Sequence, residues 1–321
     1  MGLSSAFDTW IHLTNVQGNL ERNRTLVVVK SRGMAHSNQV REFVMSNKGV
    51  EALVTARPIK LKNGFEWRTS FNYTRNRNHV DALAPGLKTL VIAGQWGATI
   101  EARQGQPYGI IYGYGWQRDS ATGERLLSGG LPMQEGTKKI LGNVNPDWIG
   151  GWSNEFKYKN YSLSALVDIR SGGQNFSVGN WWGMYAGILK STLKGRELDW
   201  NKPGLVVRGI DEATGKENTV VVTAEDYGHN IYPVHEEAVL PTGFVKLREV
   251  RFGWEAPSKV VKPLHLSRMN IALVGRNLWT HTDFPNYDPE NSTNAGNGGQ
   301  GFDMGAMPTT RNFGFNLSIT P

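Results

Sequence analysis

The chain has 321 residues, of which 39% are hydrophobic, and it contains 38 Gly, 11 Trp and no Cys, with a formal net charge of +7 at pH 7. The absence of Cys excludes a disulfide framework and a thiolate metal site in this sequence. Basic residues alternate with acidic ones, as in KLREVR (246–251), so no nucleic-acid-binding stripe is predicted. The N-terminal residues 1–17 include Asp8 and His12 and lack an apolar core, so no signal peptide is predicted there.

Short segments in which polar and apolar residues alternate recur along the chain, and each predicts a β-strand. In order, the clearest are FEWRTSFNYT (65–74), PDWIGGWSNEFKY (146–158), YSLSALVDIR (161–170), EVRFGWE (249–255), MNIALVGRNL (269–278) and NFGFNLSI (312–319). The alternation is irregular in FVKL (244–247), which predicts a β-bulge. Only GMYAGILKSTL (183–193) predicts a short helix. We therefore predict an all-β fold of roughly ten antiparallel strands.

Two of these strands are predicted to form a hairpin around a two-residue turn, Lys159–Asn160, in which Asn160 adopts a positive φ. This register pairs Tyr158 with Tyr161 beside the turn. It sorts most apolar side chains to one face and most polar side chains to the other. The polar face includes Asp168 and Arg170, which suggest an ion pair inside a lumen.

Each strand of this hairpin has about the length that a tilted strand needs to cross a bilayer. Trp148 and Trp152 lie toward one end and the paired tyrosines lie at the other, as in the two aromatic girdles of a membrane barrel. A short turn closes the tyrosine end, whereas long Gly- and Asn-rich connections, roughly residues 171–217 and 283–309, follow the other end. This asymmetry favours an outer-membrane barrel. The alternative interpretation is a secreted β-sandwich that binds carbohydrate.

Several longer motifs follow one another in a consistent order: GNVNPDW (142–148), DIRSGGQNFSVGNWWGMYAG (168–187), GFVKLREVRFGW (243–254), VGRNLW (274–279), YDPE (287–290) and RNFGFNLSI (311–319). Together with weaker matches upstream, they cover residues 41–321. They resemble the SusC/RagA family of TonB-linked (TonB-dependent) outer-membrane transporters. The resemblance implies the C-terminal part of a large antiparallel transmembrane β-barrel with long extracellular loops.

The same resemblance implies a function and a set of partners. Such a transporter imports oligosaccharides or peptides across the outer membrane of a Gram-negative, Bacteroidetes-like cell. Its expected partners are a SusD-like lipoprotein, outer-membrane lipid and TonB, which acts through a plug domain. Residues 1–40 match the family poorly and the plug is missing from this sequence. The expected organisation is therefore a poorly matched segment (1–40) followed by a partial barrel (41–321), as in a fragment of a transporter.

Motifs for catalysis are weak in this sequence. GNGGQG (296–301) matches GxGxxG, but it follows Asn- and Ser-rich sequence and opens no predicted helix. His229 and His235 flank a Tyr-containing loop and are predicted to be surface residues rather than metal ligands. Asp288 and Glu290 carry carboxylates of the kind that bind calcium in loops, but the favoured interpretation is an acidic turn beside a proline. We therefore expect no catalytic residue, cofactor or resident metal.

The candidate ligand contacts are Trp181, Trp182 and Tyr185, in the long connection after the hairpin. Aromatic side chains on exposed loops stack against sugar rings or pack on peptide side chains. The alternative role of these three residues is packing within the loop or anchoring an interface.

Overall fold

A computed structural model of the protein describes residues 9–18, 21–31, 41–46, 49–196, 204–292 and 300–321. Much of the N-terminal segment and most of GNGGQG (296–301) lie outside the described residues. The strands in chain order are β1 Thr9–Gly18, β2 Glu21–Ser31, β3 Arg41–Ser46, β4 Gly49–Lys60, β5 Phe65–Asn76, β6 Thr89–Gln95, β7 Ala98–Arg103, β8 Ile110–Trp116, β9 Leu126–Ser128, β10 Leu131–Pro132, β11 Gln134–Asn143, β12 Trp148–Tyr158, β13 Tyr161–Ser171, β14 Gln174–Ser177, β15 Leu205–Val206, β16 Ile210–Asp211, β17 Val221–Val222, β18 Val239–Pro241, β19 Phe244–Glu255, β20 Arg268–Thr282, β21 Phe302–Asp303 and β22 Asn312–Thr320.

Helices are few and short. They are α1 Val178–Tyr185, α2 Ala224–Asn230 and α3 Ser258–Val261, with 3-10 turns at Lys190–Leu193, Glu236–Ala238 and Lys262–Leu264. The helix predicted at 183–193 was wrong in its bounds, because the Ser177 hydroxyl accepts the Asn180 N–H and starts α1 earlier. In the part of the chain that the structure describes, no helix is long and apolar enough to cross a bilayer.

Ten strands form a single antiparallel sheet, in the order β1-β2-β3-β4-β5-β12-β13-β19-β20-β22. The predicted all-β class is thereby confirmed. The strands at its centre have 11 or 12 residues. That length is suited to crossing a bilayer at a tilt.

The register of the central hairpin, β12 with β13, matches the prediction along its whole length, from Trp148 opposite Ser171 to Tyr158 opposite Tyr161. The turn itself differs from the prediction. Lys159, with φ 51°, takes the left-handed conformation expected of Asn160. The neighbouring strand explains the difference, because Asn160 exchanges hydrogen bonds with the Glu255 backbone: its carbonyl accepts at 2.8 Å and its side-chain amide donates at 2.9 Å.

The register produces one continuous apolar face across seven adjacent strands. Two of its cross-strand rows are Ile59, Trp67, Phe156, Leu163, Phe252, Leu273 and Phe315, and Val54, Phe71, Trp152, Val167, Leu247 and Trp279. These side chains are not covered: Leu273 is 61% exposed and Phe315 is 63% exposed. A β-sandwich would bury this face under a second sheet, but in the described part of the chain no sheet lies on it. The sandwich alternative is therefore not favoured.

The opposite face of the sheet is polar. A row on this face runs through Arg68, Glu155, Ser164 and Arg251. Ion pairs on this face include Arg276 with Glu249. An apolar face opposite a charged face is the arrangement of a wall that separates lipid from a wet lumen.

The predicted β-bulge in FVKL is confirmed. Leu247 and Glu249 lie opposite the adjacent residues Val167 and Leu166 of β13, which leaves Arg248 as an extra residue on β19. On the other side the register also shifts, because Leu247 lies opposite Trp279 and Glu249 lies opposite Arg276 of β20. Lys246 and Arg248 consequently both contact the Glu290 carboxylate.

From β4 to β22 the connections are short at one end of the sheet, where the longest is residues 256–267, and long at the other. Residues 61–64 and the Lys159–Asn160 turn lie at the short end, near Tyr158. Three long connections, residues 77–147, 172–243 and 283–311, lie at the other end. The predicted asymmetry is present. The first long connection was not predicted from the sequence, and the second was predicted to end near residue 217 instead of residue 243.

Candidate ligand-binding site

The three long connections pack together, and we call them the loop region. Their buried apolar residues form a shared cluster, with Ile100 and Ile111 from the first connection, Phe176 and Trp181 from the second and Phe302 from the third. Two small sheets, β11-β8-β7-β6 and β18-β14-β21, contribute residues to this cluster, and a third, β10-β9-β16, also lies in the loop region. The loop region is therefore a folded unit that holds its surface side chains in place.

Four partly exposed aromatic side chains, Trp96, Trp182, Tyr185 and Tyr232, form a surface that we call the aromatic platform. Trp96 is 41%, Trp182 37% and Tyr232 38% exposed. Ring centroids are 6.0 Å apart for Trp96 and Trp182, 5.5 Å for Trp182 and Tyr185, and 5.3 Å for Tyr185 and Tyr232. The platform combines residues from two connections that are distant in sequence.

Trp181 lies beneath this platform rather than on it. It is 3% exposed, its ring stacks on Tyr232 at 4.7 Å, and its indole N–H donates to the Ile231 carbonyl at 3.3 Å. The structure thus places Trp182 and Tyr185 at the surface and Trp181 in the core that supports them. Ligand contact by these residues stays a prediction, and burial makes packing the evident role of Trp181.

Trp96 was missed by sequence reasoning, although Trp96-Gly97 is a two-residue turn between β6 and β7. Trp96 has φ 43° and Gly97 has φ 90°. A left-handed conformation at a bulky residue costs on the order of 1–3 kcal/mol and persists only where neighbouring contacts enforce it. One such contact is a 2.9 Å hydrogen bond from His235 Nε2 to the Trp96 carbonyl. This hydrogen bond helps to hold the turn that places the indole at the surface.

His235 is buried and is hydrogen-bonded to the backbone of both Trp96 and Tyr114, so the prediction that it lies at the surface was wrong. It is 3% exposed, and its Nδ1 accepts the Tyr114 N–H at 2.9 Å. Glycine makes room for the ring, because a Cβ at Gly113 would lie 2.8 Å from Nδ1. With one ring nitrogen accepting and the other donating, the imidazole is neutral. Burial lowers the pKa of His235, consistent with that state.

His229, in contrast, is exposed as predicted and stacks on Tyr185 at 4.4 Å. In the described part of the chain, no three His, Cys, Asp or Glu side chains are grouped so that they could hold a metal ion.

Beside the platform lies a cleft of about 600 Å³, which we call the basic cleft. Its charged lining residues are Arg118, Glu124, Arg125, Lys194 and Arg208. The remaining wall includes Met184 of α1 and Tyr227 and Gly228 of α2.

Two adjacent carboxylates orient the inner arginines of this cleft. Glu236 binds Arg118 and accepts the Trp116 backbone N–H at 3.0 Å. Glu237 accepts from Arg125 at 2.9 Å and from the Trp116 indole at 3.0 Å. Burial acts to raise the pKa of Glu236, but hydrogen bonds from Trp116 and Arg118 outweigh it and the pKa is lowered. Arg118 is therefore held by an ionised carboxylate, and Arg125 is held by its hydrogen bond to Glu237.

A charge cluster joins the loop region to the sheet. Lys246 Nζ lies 2.6 Å from Asp288 Oδ1 and also contacts Glu290. Arg248 bridges Glu290 and Asp168, with Nη2 at 2.7 Å from Asp168 Oδ2. Asp288 and Glu290 are thus bonded to cationic side chains within an acidic turn, which supports the favoured interpretation of this motif over a calcium site.

The predicted pair of Asp168 with Arg170 was wrong. Asp168 pairs with Arg248, which the bulge turns toward it, and Arg170 instead donates to the Val144 carbonyl at 3.0 Å. Asp168 and Arg170 are two positions apart on one face of the strand, but that spacing alone did not identify the ion-pair partner of Asp168.

Comparison with known proteins defines the class to which this architecture belongs. No protein-family model matches the chain. Over 304 residues the chain is 25% identical to TonB-dependent receptor P3 of Formosa agariphila, which covers 86% of this chain and 28% of that protein. A chain of the RagAB peptide importer in its open-open state superposes with a TM-score of 0.63 at 14% identity, covering 97% of this chain and 38% of that chain. This second likeness shows the fold alone.

A separate, short match has a different character. Over 53 residues, or 16% of this chain, the sequence is 58% identical to circadian clock protein KaiC2 of Synechocystis sp., of which it covers 9%. This match extends over too little of that protein to indicate its fold or function here.

The fold is that of part of an outer-membrane β-barrel of the TonB-dependent transporter class. The resemblance to SusC/RagA-type transporters predicted from the sequence is confirmed over most of the chain. The chain spans 28% of the length of receptor P3 and 38% of the RagAB chain. The division at residue 40 and the absence of a plug stay predictions.

Proposed function

We propose that the chain forms part of the wall and the outer loops of a transporter that takes up oligosaccharides or peptides across the outer membrane. The observation that carries this proposal is the exposed apolar face, continuous from Ile59 to Phe315 across seven strands. Exposed apolar area is unfavourable in water by about 25 cal/mol per Å², so such a face is stable only where lipid covers it. The charged opposite face then lines the lumen.

The partners follow from the same proposal. Outer-membrane lipid contacts the apolar face, and TonB supplies energy through a plug domain of the full-length transporter. A SusD-like lipoprotein covers the loop region from outside, in a Bacteroidetes-like cell. The likeness to RagAB, which is a peptide importer, supports a peptide as one candidate for the transported oligomer. We expect no enzymatic activity, cofactor or nucleic-acid partner.

The aromatic platform is the proposed ligand contact. Trp182 and Tyr185, with Trp96 and Tyr232, present ring faces and edges beside a cleft, and such surfaces bind sugar rings or apolar side chains. Trp181 supports the platform from below.

Membrane fractionation of cells that carry the natural full-length protein tests this proposal. We expect the protein in the outer membrane, extractable only with detergent, and migrating differently in gels with and without heating. Deleting its gene is expected to abolish growth on the transported oligomer as sole nutrient. Recovery of a soluble, cooperatively folding monomer would contradict the proposal.

A further inference from the structure

We propose that the basic cleft binds a carboxylate of the transported oligomer, so that the transporter selects acidic oligomers over neutral ones. This inference rests on the proposed uptake function and adds a substrate class to it. It is carried by the charge, shape and position of the cleft.

Cations outnumber carboxylates around the cleft. The described lining residues include four cations, Arg118, Arg125, Lys194 and Arg208, and one carboxylate, Glu124, while Glu236 and Glu237 pair with Arg118 and Arg125. Lys194 is exposed and has no carboxylate partner among the residues that the structure describes. A positive cleft with low-dielectric walls concentrates anions near its surface.

The inner cations are held in place before any ligand arrives. Arg125 is fixed by Glu237 at 2.9 Å and lies over the Trp116 ring, 5.0 Å from its centroid. Arg118 is fixed by Glu236. Because the guanidinium groups are already oriented, a ligand carboxylate gains hydrogen bonds without the full entropic cost of ordering them.

The outer cations are available for exchange. Arg208 pairs with Glu124 at 2.6 Å, but its side chain is 83% exposed. Exposed pairs of this kind are worth about 0–1 kcal/mol, so an incoming carboxylate can displace Glu124. Lys194 then supplies the second charge at the mouth.

The cleft and the aromatic platform share their supporting helices. Met184 of α1 lines the cleft, and the next residue, Tyr185, belongs to the platform. In α2, Tyr227 and Gly228 line the cleft, whereas His229 stacks on Tyr185. One oligomer can therefore place a carboxylate in the cleft and a ring or apolar group on the platform. A volume of about 600 Å³ lies within the range of ligand pockets.

A carboxylate can come from an acidic peptide side chain or from a sugar acid, and the experiment separates these sources. The probes are an acetylated Phe-Glu-Glu-Gly peptide with its Phe-Gln-Gln-Gly counterpart, and trigalacturonate with its methyl ester. Binding to the natural full-length protein in detergent is measured by titration calorimetry, at low and at high salt.

We expect one acidic probe to bind about tenfold more tightly than its neutral counterpart, with a preference that shrinks at high salt. The double variant Lys194→Glu, Arg208→Glu is expected to lose that preference. The double variant Lys190→Glu, Lys216→Glu, at two exposed positions outside the cleft, makes the same change in charge, serves as the control and is expected to retain the preference.

Equal binding of acidic and neutral probes, binding of none of them, or an unchanged preference in the double variant would overturn the inference. These outcomes leave the uptake function standing, since outer-membrane location and dependence of growth on the gene are measured separately. Loss of location or uptake, by contrast, would overturn the proposed function itself.

Discussion

Lys246 Nζ and Asp288 Oδ1 lie 2.6 Å apart although the two residues are 42 positions apart in the sequence. Lys246 is 2% exposed and Asp288 is 7% exposed, so their charges meet away from solvent. Thr309 adds a hydroxyl hydrogen bond of 2.8 Å to the other oxygen of Asp288. This pair fastens the third long connection to β19.

The first prediction concerns this pair. Lys246→Met removes the buried cation and leaves Asp288 without its main partner, so we expect a loss of about 3–5 kcal/mol in the stability of this attachment. Limited proteolysis within residues 283–292 measures it as faster cleavage. Lys259→Met, an exposed change, is the control and should leave cleavage unaltered. Equal protection in both variants would mean that the pair does not hold the connection.

The second prediction concerns pH. Burial lowers the pKa of His235 below its ordinary value of 6.5, so the folded loop region favours the neutral ring. The stability that depends on neutral His235 is therefore full above pH 6.5 and decreases as pH falls below it. Protonation gives Nδ1 a hydrogen that faces the Tyr114 N–H.

We accordingly expect tryptophan fluorescence from Trp96 and its neighbours to change on acidification, as the new Nδ1 hydrogen is repelled by the Tyr114 N–H and displaces the ring that lies beside them. In His235→Gln, which cannot titrate, the same acidification should produce a much smaller change. An identical pH response in the two proteins would refute this role for His235.

The third prediction concerns the faces of the sheet. Val167 lies in the apolar row between Trp152 and Leu247. Val167→Arg places a charge against lipid beside Trp152, and we expect it to destabilise the inserted protein by about 1–2 kcal/mol, between the costs at the interface and at the bilayer midplane. Ser164→Arg places the same charge on the polar face and should be tolerated. The yield of heat-modifiable protein in outer membranes compares them, and a tolerated Val167→Arg would reverse the assignment of faces.

The fourth prediction separates a surface role from a packing role. Trp182→Ala removes an exposed indole, so we expect weaker ligand binding with little change in thermal stability. Trp181→Ala empties a buried site and should destabilise the loop region by about 3–5 kcal/mol. Binding titrations and thermal unfolding in detergent measure both effects. Loss of stability in Trp182→Ala as large as in Trp181→Ala would indicate that the platform only packs.

The central hairpin could be predicted from the sequence because its information is local. Alternation runs from Tyr161 to Ile169 with Leu166 as the exception, and a two-residue turn fixes the register of both strands. The bulge was also visible, since FVKL (244–247) breaks the alternation. Strand pairing with period two is the strongest signal that a single sequence carries.

The candidate site was only partly predictable because its contacts are distant in sequence. Trp182 and Tyr185 could be identified because they are aromatic residues close together in one long connection. Trp96 lies beside them in the fold, and its carbonyl is hydrogen-bonded to His235, which lies 139 residues farther along the chain. The burial of His235 depends on space left by Gly113, and no local pattern encodes that space. Lys246 and Asp288 are a second example, because the sequence shows the charge of each residue but not that the two form a pair.

The two-residue turn between β12 and β13 also bears on the order in which the sheet assembles. Tyr158 and Tyr161 meet after the shortest possible loop, whereas the flanking strands β5 and β19 are reached only through residues 77–147 and 172–243. Contacts between nearby residues form before those that close long loops. We therefore expect the paired tyrosines to mark the nucleus from which the wall grows outward in both directions.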